Sequence, residues 1–385
     1  MRVPDSLLGD PVLCRVLDAM TAQGHGAWLV GGAVRNALLA EPVDDIDIAT
    51  DATPEQTVAL ARAAGLRAVP TGIEHGTVTL IAKGRGFEVT TFRRDVQTDG
   101  RHAIVAFSTN LAEDAARRDF TINALYADRT GAVIDPMNGL PDLEARRLRF
   151  VGDPGQRIRE DYLRILRFFR FFARYGRQAD ARAVAACADH RDGLNGIARE
   201  RIGTEMKKLL SAPDPGPSMA LMAETGVLGL LLPGADPARL SALLAIEDGP
   251  PAWLRRLAAL GAHDPALALR LSRAEGRALD LLAQAAAKHW SLDEAAYRQG
   301  EEFAVDHALL CAAAEGMSLP AGWRDRIARA ATARMPITAA DLSPLQGPDL
   351  GRALKAAETA WITSGFSLPA PALIDAAHLA RKDAP

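Results

Sequence analysis

The stretch from Leu29 to Ile48, LVGGAVRNALLAEPVDDIDI, constrains the fold more than any other part of the chain. The pair Gly31–Gly32 separates a strand-like run from a helix-like run, with Arg35 one turn in. Further on, Asp45 and Asp47 alternate with Ile46 and Ile48. Successive side chains of a strand face opposite ways, so this alternation places Asp45 and Asp47 on one face and Asp44 elsewhere. Two carboxylates beside a glycine turn that feeds a helix N-terminus can hold Mg2+ against the phosphates of a nucleotide. Either feature alone fits a surface strand of solvated acids after an ordinary turn. Their joint spacing favours the nucleotide site.

At 385 residues the chain exceeds one ordinary domain, and two or three are expected. The net charge is only -3, so a nucleic-acid surface has to be a local patch. Cys14, Cys187 and Cys311, widely separated, make no metal or disulfide framework and suit a reducing cytosol. The N-terminus has no charged-then-apolar signal, and no apolar run reaches the ~18 residues of a membrane span. No obligate protein partner is evident. The eight histidines form no paired His-Asp cluster, and an appended phosphohydrolase domain is not expected.

The first 150 residues read as α/β. Ala27 to Val30 is expected as a strand, Ala33 to Ala40 as a helix and Asp45 to Ala49 as a strand. Thr53-Pro54-Glu55-Gln56 opens a helix with a capping box, and Gly65 ends it. Thr77 to Ala82 and Phe87 to Phe92 flank Lys83-Gly84-Arg85-Gly86, a hairpin signal. From Arg157 the texture is helical only. Between Arg157 and Arg177 seven arginines stand against two acids, interleaved with four of the chain's eleven phenylalanines. A linker-like break follows at Pro213 to Pro217, and the remainder is Ala/Leu-rich and helical.

Three further groups carry chemistry. Glu88 can join Asp45 and Asp47 if the sheet brings the strands together, or it can lie on a solvent face. Arg117-Arg118-Asp119 can make a planar fork for phosphate or ribose, or it can be a solvated first turn capped by Asp119. In the arginine-rich segment, Asp161 and Arg164 stand at i,i+3, and Arg164, Arg167 and Arg170 form one ridge. Two local acids cannot satisfy seven arginines, which makes phosphates a reasonable second partner.

Taken in order, eight motifs resemble those of bacterial class II tRNA nucleotidyltransferases, the CCA-adding enzymes, sisters of the bacterial poly(A) polymerases in the polymerase-β-like superfamily. They are GGAVRN with DDIDIAT, TGIEHGTVTL, FEVTTFRRD, TDGRHA, EDAARRDFTINAL, IDPMNG, REDYLRILRFFRFFARYG and ERIGTEMKKLL. The resemblance runs from about Trp28 to about Leu232. Beyond Pro233 no motif is recognised.

The resemblance implies an α+β fold: a polymerase-β-like head of mixed sheet and helices, then an all-α neck, body and tail. The expected domains are a catalytic head over 1–150, a neck that reads the base over 151–212, and a tRNA-binding body and tail over 213–385. Asp45 and Asp47 are expected to hold Mg2+, with Glu88 on the neighbouring catalytic strand. Gly31, Gly32 and Arg35 are expected at the triphosphate, and Arg118 and Asp119 at the sugar and phosphate end. Asp161 and Arg164 are expected to read the base, Arg167 and Arg170 to support the phosphates, and Glu200-Arg201 to brace the neck. The segment Arg93 to His102 is expected as a mobile loop beside the site. Asn36 departs from the family, which commonly has aspartate there.

The implied function is template-independent addition of C, C and A to the 3′ end of tRNA from CTP and ATP, with release of pyrophosphate. The nearest alternatives are a poly(A) polymerase and an enzyme adding only A or only C. The segment Leu66 to Thr77 resembles the CCA-adding members, and the basic Gly-Arg-Arg-Phe signature of bacterial poly(A) polymerases is absent. An alternative of another class is a non-catalytic RNA-binding protein with a transferase-like head, which would not need Asp45 and Asp47.

Overall fold

Strand formation begins where the sequence places it, at β1 (Ala27–Val30), whose residues are buried but for half-buried Trp28. The computed structural model describes residues 1–99 and 102–382, and the chain forms two compact units, Met1–Leu231 and Leu232–Pro385. In the first, β1 joins β2 (Asp47–Thr50), β3 (Arg67–Gly72), β4 (Thr77–Ala82), β5 (Arg85–Thr91), β8 (Tyr126–Ala127) and β9 (Val133–Ile134) in one sheet of order β3-β4-β5-β2-β1-β8-β9. Only β2 and β5 pair in parallel, so the sheet is mixed. A separate antiparallel pair, β6 (Arg93–Asp99) and β7 (His102–Phe107), follows β5.

Local chemistry sets several boundaries. The helix Pro54–Ala63 carries the expected capping box: Thr53 accepts from the Gln56 amide and Gln56 answers to the Thr53 amide. The β4–β5 hairpin turns through only Lys83 and Gly84, with φ of 47° and 80°, and Ala82 pairs with Arg85. Two central residues at positive φ match the twist of the flanking strands. The hairpin loop is therefore two residues rather than four. Strand β2 starts at Asp47, not Asp45. Its β1 partners begin at Leu29↔Ile48, because Gly31 turns the chain away after Val30, and Asp45 is left outside the ladder.

The helical reading from Arg157 also needs correction. The helix Pro154–Glu160 stops, and a second, Leu163–Tyr175, begins after an extended Asp161 (φ −154°, ψ 107°). The Asp161 carboxylate accepts from the Leu163 amide at 3.0 Å, a local hydrogen bond that competes with continuous helix. Beyond it, β11 (Gln178–Ala179) pairs in parallel with β10 (Arg147–Leu148). The region is therefore not purely helical.

An aromatic core packs the second helix against the bridged segments that carry Phe120 and Phe150. Phe168 is fully buried and its ring lies 5.7 Å from Phe150, 6.3 Å from Phe120 and 5.4 Å from Phe169. A buried Ser218 on the helix Gly216–Glu224 donates to the Phe169 carbonyl at 2.6 Å.

The second unit is helical, with one core around Ala296, Ala308 and Ile327 and another around Ala357, Trp361 and Leu373. Its buried Arg255 and Arg256 share the buried carboxylate of Glu247. Among the described residues, no helix is long and apolar enough to cross a membrane.

Phe168→Ala is expected to cost about 3–5 kcal/mol of stability, the usual loss for a fully buried aromatic. Chemical denaturation of the variant checks this, and a loss under 1 kcal/mol contradicts the packing described.

Candidate active site

Gly31 closes β1 with φ 63° and opens the helix Gly32–Leu38. Its amide donates to the Leu125 carbonyl at 3.1 Å. A Cβ at this position would stand 3.3 Å from Arg118 Nη1 and 3.5 Å from the Asn123 carbonyl. Positive φ and close approach both call for glycine. At Gly32 the nearest atom to such a Cβ is 3.7 Å away, an ordinary contact, so local geometry does not demand glycine there.

The parallel ladder sets Asp47 opposite Glu88, on one face of adjacent strands. Asp45, Asp47 and Glu88 are all solvent-accessible. The Asp47 carboxyl is held above its ordinary value by partial desolvation, then by the charge of Glu88, with Arg118 opposing and Asp45 adding. Like charges crowded on one carboxylate are what a divalent cation would relieve. Among the described residues, no three His, Cys, Asp or Glu side chains gather closely enough to cage a metal alone. A magnesium ion is commonly held by one or two carboxylates plus substrate phosphates, and the pair Asp45 and Asp47 fits that pattern.

Arg118 is oriented from behind. Its Nε donates to the Tyr126 hydroxyl and its Nη2 to Asp114, both at 3.0 Å. The Tyr126 hydroxyl in turn donates to Asp114 at 2.6 Å. Nη1 is thereby directed to the glycine turn. Asp114 is buried and also accepts from Arg117. Burial works to raise its carboxyl, but the charges of Arg118 and Arg117 prevail and hold it below the usual range. Sequence reasoning assigned Asp114 and Tyr126 no role. The i,i+3 and i,i+4 spacing of Asp114 to Arg117 and Arg118 was the available signal.

Arg35 and Asp119, expected at the two ends of the nucleotide, turn into the protein. The Asp119 carboxylate accepts from both Nε and Nη2 of Arg167, from the Phe120 amide and from Asn123 Nδ2. Asn123 Oδ1 accepts from Arg35 Nη1, and Arg35 Nη2 donates to the Tyr175 hydroxyl at 2.8 Å. The Arg35 guanidinium also lies 4.0 Å over the Tyr175 ring. Thus Arg35, Asn123, Asp119 and Arg167 form one chain from the glycine-turn helix to the helix Leu163–Tyr175.

The arginines of the helices Pro154–Glu160 and Leu163–Tyr175 draw on acids from beyond their own segment. Arg157 and Arg164 share Glu160, Arg167 takes Asp119, and Arg170 takes Glu205 from the helix Arg199–Leu210. Arg174 lies 3.9 Å from Glu41. Counting neighbours in sequence missed these carboxylates, so the count does not argue for phosphates. Asp161 and Arg164 do not pair with each other. Asp161 accepts from Arg201 at 2.8 Å, while Arg164 Nη1 donates to Glu160 and to the Arg157 carbonyl. Nε and Nη2 of Arg164 have no hydrogen-bond partner among the described residues. The segment from Arg93 to His102 enters β6 and β7, paired from Arg93↔Phe107 to Asp99↔His102. Gly100 and Arg101 lie outside the described residues.

A mixed sheet with a glycine turn and paired acids, followed by helices, defines the class: a polymerase-β-like nucleotidyltransferase head on a helical body. The family model for the poly A polymerase head domain matches residues 27–149, and that for the probable RNA and SrmB-binding site of polymerase A matches residues 180–239. The human protein CCA tRNA nucleotidyltransferase 1, mitochondrial, is 45% identical over 192 residues, covering 49% of this chain and 44% of that protein. The CCA-adding enzyme of Anoxybacillus flavithermus is 41% identical over 218 residues, covering 56% and 54%. The chain spans about half the length of the curated relatives it matches. The crystal structure of the Bacillus stearothermophilus CCA-adding enzyme in complex with CTP matches with a TM-score of 0.78 and 30% identity, over 97% of this chain and 98% of that one. The chain belongs to the class II CCA-adding enzyme and poly(A) polymerase family.

The buried acids set a pH dependence. Burial works to raise the Asp119 carboxyl, but the Arg167 charge and the Asn123 hydrogen bond hold it well below the ordinary value of 3.8. A depressed native pKa gives stability that is present above the ordinary value and lost as pH falls toward the native one. Asp119→Asn is expected to cost about 1–3 kcal/mol at neutral pH and to flatten the fall in Tm below pH 4. Calorimetry across pH checks this, and an unchanged slope contradicts it.

Proposed function

We propose that this chain builds the CCA end of tRNA, adding C, C and A to the 3′ hydroxyl from CTP and ATP and releasing pyrophosphate. The carrying observation is the Asp47–Glu88 pair, with the charge of Arg118 acting on Asp47 and its Nη1 beside Gly31. In this reading Asp45 and Asp47 hold Mg2+, with Glu88 beside them on the catalytic strand. The metal supplies charge neutralisation at the phosphates and at the attacking and departing oxygens. The triphosphate lies against Gly31 and Gly32, and Nη1 of Arg118 meets the charge that grows on the departing pyrophosphate. No side chain becomes covalently attached. The 3′ hydroxyl attacks the α-phosphorus in line, and the bond to pyrophosphate breaks.

Asp161 and Arg164 select the base. Cytosine and adenine both offer an exocyclic amine beside a ring-nitrogen acceptor, which suits a carboxylate beside a guanidinium. Uracil and guanine present a carbonyl beside an N–H, so each would meet a like group at ~1–3 kcal/mol per mismatch. The contacts of Asp161 with Arg201 and of Arg164 with Glu160 support the reading, because both side chains are held before a base arrives. Arg35, Asp119, Arg167 and Arg170 act from behind, by holding the glycine turn and the neck in register. The helices from 213 onward grip the tRNA acceptor arm by backbone and shape. The proposed setting is the cytoplasm, consistent with three free cysteines.

The test offers the purified protein a tRNA lacking CCA, with CTP and ATP singly and together. The expected product is tRNA extended by CCA and no further. Long A tails on unrelated RNA would establish a poly(A) polymerase instead. Asp47→Ala is expected to lower incorporation at least about a hundredfold, an estimate from ~3 kcal/mol of lost transition-state stabilisation, with Tm retained. Near-wild-type turnover of that variant would overturn the site.

A further inference from the structure

Asp45 lies outside the ladder that fixes Asp47, so something other than strand register must hold it. The connection from the helix Gly32–Leu38 to β2 passes through Ala40 at φ 55°, a left-handed conformation that a non-glycine residue keeps only when its surroundings impose it. Those surroundings centre on Asn36. Its carbonyl accepts from the Glu41 amide at 2.9 Å, and its Nδ2 donates to the Pro42 carbonyl at 2.8 Å. Its Oδ1 accepts from Nε and Nη2 of Arg35 at 3.1 and 2.9 Å. The partners fix the orientation of the amide, because a guanidinium only donates and a carbonyl only accepts. Glu41 adds a weaker tie, 3.6 Å from Arg146 and 3.9 Å from Arg174.

We propose that Asn36 is the positioning residue for Asp45: by joining Arg35 to the Pro42 carbonyl it locks the connection that presents the second carboxylate to the metal. Buried Arg35 is itself fixed by Asn123 and Tyr175, so Asn36 transmits a rigid reference point to a stretch that no strand supports. An aspartate at position 36 could keep the contacts with Arg35 but has no proton for Pro42. The inference rests on the reading of Asp45 and Asp47 as metal ligands.

The test measures Mn2+ binding to the full chain by electron paramagnetic resonance, with CTP present and tRNA absent, in Asn36→Asp, Asn36→Ala and Asp47→Ala. Both Asn36 variants are expected to weaken Mn2+ binding about five- to tenfold, with Tm close to wild type for Asn36→Asp; a tenfold loss corresponds to ~1.4 kcal/mol. In turnover, the Mg2+ concentration for half-maximal rate should rise while KM for CTP stays within twofold. A merely structural role would instead lower Tm and leave the metal dependence alone. Mn2+ affinity within twofold of wild type in Asn36→Asp would overturn the proposal, whether or not Asn36→Ala folds. Unchanged Mn2+ affinity in Asp47→Ala would overturn the metal-site reading itself, a separate result.

Discussion

The rest of the first unit depends on one buried chain of hydrogen bonds, from Arg35 through Asn123 and Asp119 to Arg167. Arg35 is only 6% exposed, and its side-chain partners are the neutral groups of Asn36, Asn123 and Tyr175. A buried cation of this kind is tolerated when its donors are satisfied and a carboxylate stands nearby to balance it. Asp119 fills that need one residue removed, since its charge acts on Arg35 as well as on Arg167. The chain therefore joins the helix after the glycine turn to the helix that carries Arg164. Neither helix can shift without leaving a charged group unsatisfied.

Around this chain the acids divide into two sets. Asp114 and Asp119 are buried, each held by arginine, and both stay ionised below the ordinary carboxylate range. Asp47 is accessible, and the nearest charges acting on it include the like charges of Glu88 and Asp45. The first set builds the scaffold at the expense of none of its own charge balance. The second gathers like charges that Arg118 only partly offsets, which suits it to a cation and its phosphates.

Much of this was legible where the cause was local. The capping box at Thr53, the limits of β1 and β4 and the positive-φ turn at Gly84 all follow from residues within a few positions of one another. The segment of Glu88 alone left two readings open; the resemblance implies the neighbouring strand, and in the structure that strand, β5, pairs with β2 at Asp47↔Glu88. Other features have distant causes. That Asp45 falls outside β2 follows from where β1 ends. That Asp161 ends one helix and accepts from the Leu163 amide at the start of the next could not be separated from an uninterrupted periodic pattern. The acids that answer the neck arginines, Asp119, Glu205 and Glu41, lie 48, 35 and 133 positions away for Arg167, Arg170 and Arg174, the last counted from 41 to 174. No count within one segment can find them.

The most direct test of this account is a double-mutant cycle between Arg35 and Arg167, read as unfolding free energy in Arg35→Met, Arg167→Met and the double variant. The two side chains are joined by hydrogen bonds through Asn123 and Asp119, and both guanidinium groups also lie over the Phe171 ring, at 5.2 Å and 5.5 Å. A connected chain is expected to give a coupling of about 1–3 kcal/mol, because once one end is cut the other has less to lose. Additivity within about 0.5 kcal/mol would show that the two arginines act independently, and would contradict the chain as the link between the glycine turn and the neck.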